Sequence, residues 1–461
     1  MRDTSAREMG ITPGRRGLAG VPGALIRRIR DILARRPFLK NVSIMLGGAA
    51  GGQLVSILLS PLLTRLYSPQ QFGILSVYSA VLAILVVIAS LRYEMALPLT
   101  RLDEDAANLM AVCLCALAAT TAAVGSVVFL LPGQMIEALW PLPLFSERIG
   151  TYRILLVVGY VCLGGYFIAL YGATRTGAFR AIAKTRFGQG VVGPLSQIVL
   201  GLLGVGTPGL LLGFIAGQSA GTAGLFYNVA TDRPGAWSSL SWRRMRGLAA
   251  RYCRFPLVSS WAALIDALGS SQLLYLLISL QYSARIAGYI FLVERVVSRP
   301  LAIVGTSILQ VFMSEAGRTA TSDPDKLKSR FRQVVFRQFC LAAAWVLAAN
   351  LAGALLFPTV FGEEWIEGIV YLKAMSLGYL AQALVQPVFH TLQILEKQIL
   401  AAGWQIGRLI FTVGVFEAGA RLYGFDAPWV IAGYSAAQAL CCLVLLALMA
   451  RSIRQLKRKE P

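Results

Sequence analysis

Long apolar stretches alternate with short polar segments along nearly the whole chain. A transmembrane helix needs about 20 apolar residues to cross a hydrocarbon core roughly 30 Å thick, and twelve stretches meet that length. We therefore predict an all-α integral membrane protein of about twelve helices. The predicted spans are 41–63, 71–97, 105–131, 153–173, 188–204, 208–230, 253–280, 284–312, 333–357, 366–392, 397–420 and 427–450.

The basic residues are distributed unequally between the two sides that these spans define. The side that carries both chain ends holds 33 lysines and arginines, and the opposite loops hold five. Because cytoplasmic loops of membrane proteins are enriched in these residues, we expect both termini in the cytoplasm. The same bias accounts for the net charge of +21, so no nucleic-acid partner is expected.

A short motif occurs twice, at equivalent places in the two halves of the chain. Tyr67–Gly73 joins the first two spans, and Tyr282–Gly288 joins the seventh and eighth, with Tyr, Ser and Gly in register. Ser68 and Ser283 are each placed to cap the following helix, and the glycine would allow close helix packing. The repeat predicts two parallel six-helix bundles, as in alternating-access transporters.

These features divide the chain into five parts. Residues 1–40 form a basic arm, in which Pro22–Lys40 has the pattern of an amphipathic helix on an anionic membrane surface. A disordered basic arm is the alternative. The remaining predicted parts are the first bundle (41–230), a cytoplasmic linker (231–252), the second bundle (253–450) and a basic cytoplasmic tail (451–461).

Several segments, in this order on one chain, resemble the Wzx-type oligosaccharide flippases. These belong to the polysaccharide biosynthesis protein family, within the superfamily of multidrug, oligosaccharidyl-lipid and polysaccharide exporters. The resemblance runs from about residue 41 to 450. The segments are SPLLTRLYSPQQFG (60–73), LRYEMALP (91–98), DEDA (103–106), AKTR (183–186), GLLLGFIAGQ (209–218), RFP (254–256), ERVVSRPL (294–301) and FGEEW (361–365).

This resemblance implies a fold and a function. The fold would be a MATE-like, V-shaped pair of bundles. The function would be translocation of undecaprenyl-diphosphate-linked oligosaccharide from the cytoplasmic to the periplasmic leaflet of a bacterial inner membrane, for O-antigen, capsule or exopolysaccharide. The implied partners are this lipid-linked oligosaccharide, membrane lipids and a polysaccharide polymerase, and no cofactor is expected. Arg299 departs from the family pattern, which has an apolar residue there.

Charged side chains within the spans are the candidates for substrate contact. A charge in the hydrocarbon core costs roughly 2.5–3.5 kcal/mol on insertion scales, so such residues usually face a protein interior or water. Arginine and lysine stay charged there and bind phosphate oxygens. Pairing within the chain, such as Arg92 with Glu94, is the alternative. The candidates for diphosphate binding are Arg299, Lys373, Arg408, Arg295 and Arg92, and the candidate for ion coupling is Asp266.

Two features favour the cluster around Arg299. Arg295 and Arg299 are spaced i, i+4, which places them on one face of an α-helix. Pro300 removes a backbone hydrogen bond and predicts a kink beside them. Pairing of either arginine with Glu294 remains the alternative. The glutamines within the spans allow two interpretations, contact with sugar or hydrogen bonds between helices. They are Gln53, Gln197, Gln218, Gln272, Gln310, Gln382 and Gln386.

Other functions fit the sequence less well. No phosphate-binding loop, acidic metal motif or large extramembrane loop is present, so we do not expect an enzyme. The seven cysteines and the single histidine, His390, do not have metal-ligand spacing. The main alternative is a MATE-like, cation-coupled drug exporter, which should carry several carboxylates deep in the membrane. Asp266 is the one acid at mid-span, which favours an anionic cargo.

Overall fold

The computed structural model describes residues 37–130, 149–232, 234–269, 271–322 and 324–455. Within these ranges the regular structure is helical, without strands. Nine helices are long and apolar enough to cross a membrane, and two bent helix pairs raise this to eleven among the described residues. The predicted all-α membrane fold is confirmed. The predicted arm helix at 22–40 lies outside these ranges except for its last four residues, as does most of the tail.

The first half of the chain contributes nine helices to this description, which we number in chain order. They are α1 (Pro37–Leu58), α2 (Ser60–Leu66), α3 (Pro69–Val86), α4 (Asp103–Leu130), α5 (Ile149–Arg175), α6 (Phe179–Leu202), α7 (Thr207–Ser219), α8 (Thr222–Asp232) and α9 (Trp242–Arg251). A short helical turn, Pro234–Trp237, precedes α9, and a 3₁₀-helix, Tyr93–Leu99, precedes α4.

The second half contributes eight more helices. They are α10 (Ser260–Leu268), α11 (Ser271–Gln281), α12 (Ala284–Val293), α13 (Arg299–Ser322), α14 (Pro324–Leu356), α15 (Gly368–Val385), α16 (Gln398–Glu417) and α17 (Ala427–Arg454). Four π-helical segments interrupt or extend them, at Phe255–Ser259, Glu294–Ser298, Phe357–Phe361 and Ala418–Leu422. The shorter elements are Glu363–Trp365, Gln386–Val388 and Thr391–Ile394.

The structure corrects three predicted spans, of which the ninth, predicted to begin at residue 333, begins as a helix at Pro324. The second, predicted as 71–97, ends as an α-helix at Val86, and the chain then turns through Leu91 and Arg92, both at positive φ. The fifth, predicted to begin at residue 188, begins at Phe179. Its first turns carry charges that the sequence assigned to a loop. At 24 residues the helix is long enough to cross, but its polar residues keep it out of the eleven apolar spans.

The first span of each half is bent. Helices α1 and α2 meet at 40°, and the pair 255–268 and 271–281 meets at 55°. In the first half, Pro61 cannot donate a backbone hydrogen bond to the preceding turn, and the Ser60 hydroxyl beside it donates to the Ser56 carbonyl at 3.0 Å, which also favours a bend. Broken helices in corresponding positions of two halves are typical of transporters, where they mark the binding site.

The two halves are packed against each other through aromatic side chains at one end of the bundle, which we call the closed end and define by Thr64, Phe72, Tyr289 and Trp365. The Trp365 indole donates to the Thr64 carbonyl at 3.1 Å. Its ring meets Phe72 edge-on at 5.0 Å and Tyr289 at 5.9 Å between centroids. Trp365 and Phe72 are at most 1% exposed. The contacts therefore form a continuous apolar core across the interface between the halves.

A linker helix, α9, lies at the opposite end and is docked on the first half. The Asn108 side chain donates to the Ser239 carbonyl at 3.2 Å and accepts from the Ser241 backbone at 2.9 Å. Arg244 forms an ion pair with Glu104. Hydrogen bonding and the charge of this carboxylate raise the pKa of the Arg244 guanidinium above its ordinary value. The linker is thus tied to the first half by hydrogen bonds and an ion pair.

Candidate functional site

A cavity of 360 Å³ lies between the two halves. Its walls come from α1, α3, α5, α6 and α7 of the first half and from α11 and the α12–α13 region of the second. Phe214 and Phe291 are among its apolar lining residues. Its polar lining residues are Gln53, Ser56, Ser79, Arg186, Gln189, Gln197, Gln218, Gln272, Tyr275, Arg295 and Arg299.

The charge in this cavity is entirely positive. Among the described lining residues, Arg186, Arg295 and Arg299 are the charged ones, and none is an aspartate or glutamate. Like charges on the wall of a protein cavity repel each other more strongly than they do in bulk water, because protein screens charge less than water does. An anion that enters would relieve this repulsion. The arrangement is therefore suited to binding a ligand with more than one negative charge.

Arg295 is the most buried of the three arginines, at 5% exposure. Its guanidinium crosses to the first half, where one nitrogen donates to the Ser56 carbonyl at 3.0 Å and to the Ser56 hydroxyl at 2.7 Å. Its Nε is shielded from solvent and has no hydrogen-bond partner within the described chain. Arg295 thus connects the second half to the bend of the first span and keeps one donor available.

Arg299 lies one turn further along the same irregular segment. Its guanidinium lies over the Phe291 ring at 5.6 Å, a cation–π contact. Residues Glu294–Ser298 form a π-helix that ends two residues before Pro300, so the predicted distortion is present as a widened turn. Glu294 accepts a hydrogen bond from the Tyr275 hydroxyl, and no ion pair joins it to either arginine in the described structure.

The other predicted site residues do not line the cavity. Arg92 lies beside Glu94, with 3.9 Å between their charged atoms, as the pairing alternative expects. Lys373 is exposed on α15. Arg408 is half-buried, with its guanidinium 5.0 Å from the centre of the Trp404 ring. These three positions are separate from the cluster formed by the remaining two candidates.

Asp266, the ion-coupling candidate, lies on α10 of the bent first span in the second half. It is exposed and accepts a hydrogen bond from the Gln405 amide at 3.4 Å. Among the described residues, no cluster of three or more histidine, cysteine, aspartate or glutamate side chains is arranged to hold a metal ion. A role for Asp266 in ion coupling therefore stays a prediction.

Arg186 is the cavity residue that sequence reasoning assigned to a loop. Its helix, α6, begins nine residues before the predicted span, which brings Arg186 alongside the cavity. Its Nε also lacks a hydrogen-bond partner within the described chain. One signal could have identified it, since Arg186 closes the AKTR segment that resembles the flippase family.

Four of the seven span glutamines singled out in the sequence line the cavity, namely Gln53, Gln197, Gln218 and Gln272. Gln189 of α6 joins them. Gln197 serves as a helix tie, because its amide donates to the Leu210 carbonyl at 3.0 Å. The amide nitrogen of Gln53 is shielded from solvent and without a partner in the described structure. The cavity thus combines cationic and amide side chains.

The fold and the cationic cavity between two helical halves define a multi-pass membrane protein with the architecture of a transporter. Solved structures of a multidrug-resistance MATE family transporter of the MOP superfamily have this fold. The inward-facing form has a TM-score of 0.58 and 16% identity and covers 91% of this chain and 96% of its own. The outward-facing form has a TM-score of 0.53 and 15% identity and covers 91% and 97%.

The sequence itself matches the model of the polysaccharide biosynthesis protein family over residues 62–370. This match covers more than half of the chain, which therefore belongs to that family. The family resemblance seen in the sequence is confirmed. No curated protein sequence matches the chain. Family and fold together support a transporter.

Proposed function

We propose that this protein moves undecaprenyl-diphosphate-linked oligosaccharide units from the cytoplasmic to the periplasmic leaflet of the bacterial inner membrane. The product would serve surface polysaccharide assembly, as O-antigen, capsule or exopolysaccharide. The observation that carries the proposal is the cavity between the halves, whose described lining has three arginines and no carboxylate. Membership of the polysaccharide biosynthesis family supports the same conclusion.

The chemistry of the cavity matches the head group of such a lipid. A diphosphate presents several anionic oxygens, and the guanidinium fork binds two of them at once. Arg295 has an unpartnered Nε, and Arg299 lies on the same wall. The sugars would follow the diphosphate into the cavity, while the polyprenyl tail stays in the lipid between the halves.

The orientation follows from the predicted topology. Both termini would lie in the cytoplasm, which places the closed end at the periplasmic surface and the linker helix α9 at the cytoplasmic surface. The lipid-linked sugar would enter before the closed end separates. Rocking of the two halves would then expose the head group on the other side, and a polysaccharide polymerase would receive it. Asp266 is the first residue to test for coupling to an ion.

Gene deletion in the native host provides the decisive test. The lipid-linked oligosaccharide is quantified in each leaflet, together with surface polymer, in the deletion strain and after complementation. We expect sugars to accumulate on the cytoplasmic face, and polymer to return with the wild-type gene but not with Arg299→Ala.

The matched control is Lys373→Ala, a cation outside the cavity, which should restore polymer. If leaflet distribution and polymer stay unchanged in the deletion strain, and tolerance to cationic compounds falls instead, the flippase proposal fails. That result would favour the drug exporter.

A further inference from the structure

The two walls of the cavity differ in their chemistry. The second half supplies two arginines and one amide, Arg295, Arg299 and Gln272, whereas the first half supplies one arginine, Arg186, and the amide side chains of Gln53, Gln189, Gln197 and Gln218. A lipid-linked sugar has the same division, because an anionic diphosphate is joined to neutral, hydroxyl-rich sugars. The first-half wall is therefore the richer in amides, which suit sugar hydroxyls, and the second-half wall is the richer in arginines, which suit the diphosphate.

Two glycines, Gly52 and Gly190, determine the positions of the amide side chains next to them. A Cβ atom added to Gly190 would lie 2.2 Å from the backbone of Gly52, so α1 and α6 are in direct backbone contact at this level. Gln53 follows Gly52, and Gln189 precedes Gly190. The contact therefore brings the two amides to the same depth on neighbouring helices, and both line the cavity.

The hydrogen bonds of these amides leave capacity for a ligand. The Gln189 nitrogen donates to the Gln218 backbone carbonyl at 2.8 Å and also hydrogen-bonds the Tyr166 hydroxyl, which fixes its orientation and leaves its carbonyl oxygen as an acceptor. The Gln53 nitrogen is shielded from solvent and has no partner among the described residues. A buried donor without a partner is unfavourable, so a ligand oxygen there would be stabilising.

We propose that Gln53 and Gln189 form the subsite for the sugar attached directly to the diphosphate. An amide offers a donor and an acceptor side by side, and neighbouring sugar hydroxyls offer the same pair. Neither amide carries charge, so the subsite would discriminate glycosylated from bare lipid without changing attraction for the anion. This assignment rests on the flippase function proposed above and adds a determinant of cargo specificity.

Binding to the purified full-length protein tests the subsite. The probes are bare undecaprenyl diphosphate and the same lipid carrying one N-acetylglucosamine. Wild type should bind the glycosylated probe more tightly. Gln53→Ala and Gln189→Ala should each weaken that probe about tenfold, as expected for one lost hydrogen bond, and leave the bare probe unchanged. Gln382→Ala, a half-buried glutamine outside the cavity, is the control and should change neither.

Each remaining outcome has a separate meaning. Equal weakening of both probes by Gln53→Ala, with a normal melting temperature, would overturn the sugar subsite in favour of a general binding defect. No change in either probe would overturn it as well. If Gln53→Ala misfolds, Gln53→Asn provides the same comparison, because it keeps an amide but shortens the side chain by one methylene group and so moves the amide away from the sugar. Failure of the wild type to bind either probe would instead refute the flippase function.

Discussion

Gly73 and Gly288 are equivalent residues of the two halves, and each packs against the backbone of the other half's helix. A Cβ atom on Gly73 would lie 1.7 Å from the Ala284 carbonyl oxygen, and one on Gly288 would lie 1.9 Å from the Pro69 carbonyl oxygen. The offset between Gly73 and Gly288 equals that between Pro69 and Ala284. Helices α3 and α12 are therefore related by a local two-fold axis where they cross. At the two glycine positions of this crossing there is no room for a side chain.

Replacing Gly73 should open this crossing. Gly73→Leu places a side chain where backbone from the other half lies, and overpacking of this kind costs about 1–3 kcal/mol. We expect a lower melting temperature in detergent and loss of transport. Gly125→Leu is the control, because a Cβ there meets no atom within 4 Å. Equal melting temperatures for the two variants would contradict the proposed backbone contact.

Substitutions at Arg299 and Lys373 should show whether a cation that lines the cavity matters more for lipid binding than a cation elsewhere on the helices. Arg299→Ala removes a charged hydrogen-bond donor, worth about 1.5–3 kcal/mol, so affinity for undecaprenyl diphosphate should fall roughly 10- to 100-fold. Arg299→Lys should lose less, since the charge remains. Lys373→Ala should bind as wild type. The measurement is lipid binding to purified protein. A larger loss of affinity in Lys373→Ala than in Arg299→Ala would place the anion site elsewhere.

Arg186 should contribute to the same anion site from the opposite wall. Arg186→Gln retains a polar side chain but removes the charge, and it should weaken undecaprenyl diphosphate binding about tenfold, with a reduced dependence on salt. Arg180→Gln is matched to it, since Arg180 is exposed on the same helix and does not line the cavity. Identical salt dependence in both variants would exclude Arg186 from the site.

Trp365 should hold the closed end through its indole hydrogen bond. Trp365→Phe keeps an aromatic ring but removes the donor to Thr64, a loss of about 1 kcal/mol that shifts the equilibrium toward opening roughly fivefold. A cysteine at Ser79, in a background without native cysteines, should then react faster with an impermeant maleimide added outside. Trp429→Phe, at a residue 73% exposed, is the control. An unchanged rate would rule out this latch.

Asn108 should determine whether the linker stays docked. Asn108→Ala leaves the backbone groups at Ser239 and Ser241 without their partner, at a cost of about 1–3 kcal/mol. The linker should then be cleaved faster by protease in inside-out vesicles. Asn228→Ala serves as the control, because that exposed side chain bonds only within its own helix. Equal cleavage of both variants would show that Asn108 does not hold the linker.

The repeated loop shows how far local sequence determines this fold. The caps predicted for Ser68 and Ser283 are present: each hydroxyl accepts from the backbone three residues ahead, at 3.4 and 3.3 Å. Close packing at the glycines was predicted as well. A helix cap and a close approach at glycine are each determined by residues within one helical turn. Both can therefore be predicted from the local sequence. That the neighbour is the equivalent helix of the other half depends on tertiary structure.

Arg186 shows where sequence reasoning reached its limit. A run with three basic residues at the start of a span predicts a loop, because a charge facing lipid is costly. The structure resolves this differently, by extending α6 and directing the Arg186 side chain to a polar cavity. The depth at which a helix begins depends on what its neighbours enclose, and a single-chain pattern does not contain that information. The same holds for Gln189, whose hydrogen-bond acceptor, the Gln218 carbonyl, lies on another helix.

The contact between Arg295 and Ser56 also bears on leakage. The guanidinium proposed to receive the phosphate also holds the bend of the first span, so the two halves are joined by hydrogen bonds at the cavity wall. Phosphate would bind at the unpartnered Nε, and movement of the guanidinium towards the phosphate would weaken its hydrogen bonds to Ser56. In the flippase proposed above, this fastening would favour the closed arrangement before cargo binds, and a closed passage would limit the leakage of ions and water across the membrane.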